Sequence, residues 1–584
     1  MADPANAVIA AALEELGDLY ELDGAVIHRV LAYRNASRSV RDASTSVAAL
    51  ARAGRATQLN GVGTTLAEKI LALVQTGTIP AAEKLRARFP AGLIELTRLP
   101  GLGPKRARQL YDELGVASLG DLRQAALDQR LRTVRGFGPR FEEGVLAALA
   151  DGVDVSPRGE RVLLPRALAA AEAIASALAE HEDDDARVCI AGSARRRADS
   201  VKDLDLVAAS RQPRQLASAL GELDLIESVS STAESGARGR THTGVRVDLR
   251  VVTPDRFGNL LQHFTGSGRH NSSLREAAVR RGMHVSEYGI AHDGESRVHR
   301  FATEEEVYAH LGLAWIEPEL REDRGELQAA SVADGAGLPR LVELRDIRGD
   351  LHCHTIASDG HNTIEEMAVA ARERGYEYLA ITDHSASHGF GNDVSPEQLR
   401  RQIERVHEVD ARLEGIRVLA GSEVNVLPDG SLDYQDDLLA ELDWVVASVH
   451  TAFAMGEEAM TERVVRAVEH PRVDVLGHPT GRLIERREPY AIDLERVIAA
   501  AAHSGTMLEI NGNPDRRDLS DVHARAAAAA GVPILIDSDA HRVHTLAVMR
   551  WGVVTARRAW LSAADVANTR SWAEFDALRK RQRR

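Results

Sequence analysis

From residue 346 onward, six apolar runs each end on residues that bind metals. The runs are Gly349-Asp350-Leu351-His352-Cys353-His354, Tyr378-Leu379-Ala380-Ile381 leading to Asp383-His384, Gly421-Ser422-Glu423, Ala447-Ser448-Val449-His450, Leu476-Gly477-His478, and Ile534-Leu535-Ile536-Asp537-Ser538-Asp539-Ala540-His541. Alanine-rich helical stretches separate them. A chain that repeats strand, ligand-type residue and helix is constrained to a (β/α) barrel, whose chemistry gathers at the carboxyl ends of the strands. His352 and His354, like Asp539 and His541, stand two apart and face one way on an extended segment. A lone histidine is more often a core or surface side chain. Nine residues at successive strand ends (His352, His354, Asp359, His384, Glu423, His450, His478, Asp539 and His541) point instead to a metal centre. Mixed imidazole and carboxylate donors suit zinc, manganese or iron better than calcium or magnesium.

A second constellation lies upstream. The stretch Ala191 to Val207 opens where the apolar strand Val188-Cys189-Ile190 ends in Gly192-Ser193, and closes on a strand carrying Asp203 and Asp205. Alternate strand residues share a face, so the two carboxylates repel unless a cation sits between them. Gly192-Ser193 offers a backbone that can approach a phosphate. A third acid, Asp248, falls in the alternating run Val245 to Val251. Three such acids can hold two metals for an in-line phosphoryl displacement, the chemistry of nucleotidyl transfer.

The first 150 residues read as short helices in which one pattern recurs three times. An apolar residue and a Gly-x-Gly turn (Gly61 and Gly63, Gly101 and Gly103, Gly136 and Gly138) precede a helix each time, and Lys105 follows the second turn. Such helix-hairpin-helix turns let backbone amides meet phosphate oxygens, which grips DNA without reading its sequence. Lys69, in the helix after the first turn, is placed either to touch phosphate or to attack an abasic sugar as a Schiff-base nucleophile.

Charge is consistent with this division. The chain of 584 residues carries a formal net charge of -15, yet residues 1 to 150 hold 19 Lys and Arg against 16 Asp and Glu, whereas residues 346 to 584 hold 28 against 39. A basic surface can therefore form at the amino end, while a many-carboxylate metal site lies at the other. Two cysteines, Cys189 and Cys353, give no disulfide framework, and no apolar run is long enough to span a bilayer. A cytoplasmic, nucleoid-associated monomer is expected.

Between the two constellations lies Phe264-Thr265-Gly266-Ser267-Gly268-Arg269-His270-Asn271, a glycine-punctuated turn followed by Arg275. With Gly-Ser-x-Arg-Arg, Asp-x-Asp, the third Asp and this loop in order, residues 1 to 320 resemble a family X DNA polymerase of the beta type. The resemblance implies that Ser193 and Arg196 contact an incoming triphosphate beside Gly192, and that Asp203, Asp205 and Asp248 bind two Mg2+ or Mn2+ ions. It implies that Phe264, Gly266 and Asn271 line the sugar and minor-groove edge, that Arg275 touches template, and that Lys69 matches the lyase lysine. Lys202, Val201 and His263 depart from residues common in that family and bear on nucleotide affinity and sugar selection.

The barrel motifs resemble a PHP (polymerase and histidinol phosphatase) domain, a distorted (β/α)7 barrel. By that similarity His352, His354, Glu423 and Asp539 hold one metal, Glu423 bridges to a second on His450 and His478, and Asp359, His384 and His541 hold a third, the ions being Mn2+, Zn2+ or Fe2+. Arg482, Arg516 and Arg517, near the strand ends, either steady a DNA backbone or stay solvated.

The fold expected is thus multidomain, α and α/β. A helical lyase-like domain over 1–86 and a second helix-hairpin-helix part over 87–150 lead to a polymerase-beta-like nucleotidyltransferase palm over 151–260. A nucleotide- and template-binding part follows over 261–320, then a linker over 321–345, the PHP domain over 346–575 and a frayed basic tail. The expected function is gap filling with dNTPs on gapped or nicked DNA, coupled to a 3'-5' exonuclease that also trims abasic or other 3' ends. The rival readings are a decayed polymerase that delivers DNA to the nuclease, and a PHP phosphatase acting on small molecules.

Overall fold

The computed structural model describes residues 3–97, 99, 102–150, 161–180, 187–333, 335–387 and 393–580. The chain divides into two compact units, one of Met1–Glu160, Ala170–Val188 and Lys202–Thr253, the other of Arg161–Ala169, Cys189–Val201 and Pro254–Arg584. The stretch 151–260, expected from sequence as a single palm, is therefore shared between them. No helix among the described residues is long and apolar enough to cross a membrane.

In the first unit the amphipathic helix Asn6–Leu22 buries Ile9, Leu13 and Leu16, spaced so that they lie along one stripe. Each hairpin turn has a physical reason for its glycines. Gly61 and Gly136 sit at φ 75° and 92°, in the left-handed region, and Gly63 and Gly103 are the residues before the helices Thr64–Thr76 and Pro104–Leu114. Gly103, Gly136 and Gly138 are exposed, as is Lys105, while Gly101 lies outside the described residues. Arg106 joins the second hairpin to the third, its guanidinium 4.3 and 4.5 Å from the Phe137 and Phe141 rings and bonded to the Gly136 carbonyl at 3.0 Å.

The same unit holds a sheet of β1 (Asp203–Ala209), β2 (Ile226–Ala233), β3 (Gly236–Thr241) and β4 (Arg246–Val252) in the order β1-β4-β3-β2. The strand Arg187–Ile190, which begins in this unit, flanks β1. β1 and β4 run parallel, with Leu204, Leu206, Val247 and Leu249 buried and the intervening acids turned to the other face.

In the second unit the helices Phe257–Thr265 and Gly268–Val279 are followed by an antiparallel sheet of β5 (Met283–Ser286), β6 (Gly289–His292) and β7 (Val298–His299). The helix Glu304–His310 comes next, started by a Thr303/Glu306 capping box. The segment 321–345, which composition marks as a linker, is packed instead. Arg321, Glu326 and Val342 are fully buried, and Arg321 forms an ion pair with buried Glu304 at 2.5 Å. Charged residues that look solvent-seeking in sequence are here consumed in pairs.

The barrel follows: β8 (Gly349–Asp350), β9 (Tyr378–Ile381), β10 (Arg417–Asn425), β11 (Trp444–Ser448), β12 (Val475–Leu476), β13 (Met507–Asn511) and β14 (Ile534–Asp537). These seven lie in sequential order, each parallel to the next. A bridge between Cys353 and Ala540 draws the first edge to the last, which makes a nearly closed (β/α)7 barrel. Alternation divides the strands: Leu379 and Ile381 pack toward the helices, whereas Tyr378 and Ala380 join Trp444 and Phe575 in a separate apolar cluster. Arg579 and Lys580, expected to fray, are buried; Arg579 bonds the Asp443 carbonyl at 2.8 Å and Lys580 those of Val468 and His470 at 3.2 Å.

Candidate metal centre and nucleotide-transfer residues

Glu423, at the carboxyl end of β10, is the hub of the barrel mouth. It is buried, and five histidines face it: His352 at 3.4 Å, His354 at 3.6 Å, His384 at 2.9 Å, His450 at 3.2 Å and His478 at 2.8 Å. Asp539 lies 3.2 Å from His354 and 3.8 Å from His352. Asp359 lies 3.6 Å from His384 and 3.3 Å from His541. The nine residues expected from sequence thus gather at one mouth, eight of them in overlapping groups able to hold a metal (His354, Asp359, His384 and His541; His352, His354 and Asp539; His384, Glu423 and His450) and His478 beside Glu423. Buried His352 Nε2 and both ring nitrogens of His354 make no hydrogen bond, a costly arrangement that a cation would relieve.

Electrostatics agree with that donor set. Burial would raise the Glu423 carboxyl, but His450, His352 and His384 outweigh it and hold the group well below the usual carboxylate range. Burial lowers His354 and His450 to about 4, leaving both neutral and able to ligate. Burial would also lower His541, yet Asp359 and Asp539 push it up to about 9. His478 and Asp539 adopt φ of 28° and 54°, backbone strain placed at two ligand positions.

Three supporting residues were not picked out from sequence. Glu509 accepts from His352 Nδ1 at 2.7 Å and from the His478 backbone N–H, which turns His352 Nε2 toward Glu423. Asn511 donates to Asp539 at 3.1 Å. Asp383 accepts from Thr355 N–H at 2.7 Å and from the Ser358 hydroxyl and Gln402, which shapes the loop that carries Asp359. The signal for the first two was legible: Glu509 and Asn511 are alternate polar positions in an otherwise apolar strand.

Of the three arginines near the mouth, only Arg516 points at the centre, 3.8 Å from Asp539. Arg482 and Arg517 are neither solvated nor free for DNA, because both pair with Asp199, at 2.9 and 3.1 Å, and Arg517 is fully buried.

The three acids expected from sequence to carry nucleotidyl transfer lie in the first unit. Asp205 stands directly across from Asp248 in the β1/β4 register, and Asp203 shares the face of Asp205 two residues earlier. Arg238 and Arg250 approach Asp248 at 3.0 and 2.9 Å, and Arg246 approaches Asp203 at 3.5 Å. Lys69 is half-buried in the helix Thr64–Thr76, and Lys202 is exposed.

The nucleotide-contact residues expected from sequence lie in the second unit. Gly192 has φ 58° and opens the short helix Gly192–Arg195 that includes Ser193. Arg196 donates to the Thr265 carbonyl at 3.0 Å and pairs with Glu322 at 3.0 Å. Asn271 is drawn into the same loop, donating to the carbonyls of His263 at 2.6 Å and Gly266 at 3.3 Å. A Cβ on Gly266 would fall 2.4 Å from Asn271 Oδ1, so a larger residue there would force the Asn271 side chain to move. Phe264 precedes this loop half-buried, and Arg275 is exposed on the following helix. Val201 fills a buried position, paired with Val162, which accounts for an apolar residue there. Burial keeps the half-buried His263 below the ordinary histidine value.

Comparison with known proteins agrees with this division. Family models match over residues 4–79 (helix-hairpin-helix domain), 93–151 (SAM-like helix-hairpin-helix tandem), 260–322 (DNA polymerase beta thumb) and 350–513 (PHP domain). The chain is 37% identical over 577 residues to the "DNA polymerase/3'-5' exonuclease PolX" of Bacillus subtilis (strain 168), covering 97% of this chain and 98% of that protein. It belongs to the family X DNA polymerases with a carboxy-terminal PHP domain. Within this family X chain the barrel alone also resembles shorter proteins. A probable phosphatase of Thermoanaerobacter sp. (strain X514) is 35% identical over 212 residues, covering 33% of this chain and 78% of that protein. A probable phosphatase of Shewanella oneidensis is 32% identical over 212 residues, 34% of this chain and 77% of that protein.

Proposed function

We propose that this chain adds dNTPs to a 3'-hydroxyl at gaps in DNA, with Asp203, Asp205 and Asp248 as the carboxylates of transfer, and that the barrel removes nucleotides from 3' ends. The observation that carries the reading is the pairing of a complete three-acid face, Asp205 in register with Asp248, with a ligand pocket centred on Glu423 in the same chain. Mg2+ or Mn2+ at the acids and Mn2+, Zn2+ or Fe2+ in the barrel would supply charge neutralisation and activate the attacking oxygen.

The chain's own residues do the positioning. Glu423 and Asp539 draw the imidazoles inward, and Glu509 holds His352 in one tautomer. Arg516, beside Asp539, is placed to meet a phosphate oxygen, and the backbone of Gly192 and Ser193 to meet the triphosphate. The exposed turns at Gly63, Gly103 and Gly138 grip the duplex through phosphate. Lys69 is assigned a lyase role on a gapped abasic product, read out by borohydride trapping, which replacement by alanine should abolish.

A gapped, 5'-phosphorylated duplex tests the whole reading. Asp203→Ala with Asp205→Ala should abolish extension and leave digestion, and His352→Ala with His354→Ala should do the converse. Loss of both activities from one pair contradicts separate sites. The likeness of the barrel to probable phosphatases favours a second reading, monoester hydrolysis. That reading is supported if a phosphate monoester is turned over while DNA stays intact.

A further inference from the structure

Outside both constellations, three imidazoles meet on the sheet and helix that follow residue 282. His292 ends β6, His299 ends β7 and His310 ends the helix Glu304–His310. Their ring centres are 4.9, 5.0 and 5.1 Å apart in the three pairings, and the Nε2 atoms of His292 and His310 face each other at 2.8 Å. Glu295 lies beside them, 3.1 Å from His299 Nε2.

We propose that His292, His299 and His310, with Glu295 alongside, form a binding site for a zinc-class divalent cation that ties the β6–β7 hairpin to the following helix. With metal-to-nitrogen bonds of about 2 Å and each ring centre roughly 1 Å behind its nitrogen, rings on one tetrahedral ion sit about 5 Å apart, the spacing found here. The 2.8 Å approach of His292 Nε2 to His310 Nε2 turns the ring nitrogens of those two side chains toward one point. The groups whose donor atoms already converge among the described residues are those of the barrel, so seating an ion here requires a ring to turn, and His299, whose Nε2 faces Glu295, is assigned that movement. That side chain is 24% exposed, so the rotation is open to it. The donor chemistry of three imidazoles and a carboxylate matches zinc.

The full chain, stripped with a chelator and dialysed against zinc, tests the site. Metal counted by mass spectrometry should fall by one equivalent per chain in His292→Gln and in His310→Gln. Equal stoichiometry in folded variants overturns the proposal. On the unsubstituted chain, zinc should protect these three histidines from diethyl pyrocarbonate at least tenfold while His284, on the same sheet but more exposed, keeps reacting. Equal modification with and without zinc overturns it independently of any variant.

Discussion

Glu509→Gln isolates the role of a residue that touches no substrate. In the structure Glu509 accepts from the His352 ring N–H at 2.7 Å on one oxygen and from the His478 backbone N–H and, at 3.4 Å, Asn511 Nδ2 on the other, and all four residues are buried. Glutamine keeps the shape but has one acceptor oxygen, so one donor meets an amide N–H₂. The lost charge-assisted bond corresponds to about 1.5–3 kcal/mol. Part of it appears as loss of the His352 tautomer that aims Nε2 at Glu423, 3.4 Å away. Removal of such an outer partner weakens metal binding by about 10–100-fold. Titration calorimetry with Mn2+ or Zn2+ on the chelated full chain should show that weakening for one ion of the barrel set, with the others less affected. An affinity within about twofold of the parent, in a folded variant, would refute the argument that Glu509 orients the ligand.

Asp199→Asn should strand the buried Arg517 and its neighbour Arg482 without their carboxylate, lowering stability by about 3–5 kcal/mol in urea unfolding. Gly266→Ala should drive Asn271 from its loop bonds, raising KM for dNTP at least tenfold in primer extension while the barrel's digestion continues. In the chelated chain, His354 and His450 are held at about 4 against an ordinary 6.5, so the unfolded chain takes up protons first as pH falls. Their contribution is complete above pH 6.5 and is lost between 6.5 and 4, about 3 kcal/mol each. His541, raised to about 9, acts with the opposite sign and its contribution is lost as pH rises through 9. Unfolding free energies of the chelated chain should pass through a maximum near pH 6.5 and fall toward both pH 4 and pH 9, and a flat profile down to pH 4 would contradict the assignment.

Spacing along the chain was enough to reveal the helical hairpins, the alternating strands and the nine residues that gather at the barrel mouth, because the periods of helix and strand are local properties and strand ends are where a barrel exposes its residues. The same locality explains the partial failures. Composition marks 321–345 as a linker and the carboxyl end as a frayed tail, yet Arg321, Arg579 and Lys580 are buried because partners distant in sequence accept their charge or N–H groups. Tertiary structure alone made Glu423 the hub of five imidazoles, committed Arg517 to Asp199, and brought His292, His299 and His310 within about one ring's width of each other. A sequence specifies which groups want partners, whereas only the closing of strands and helices onto one another decides which groups they find.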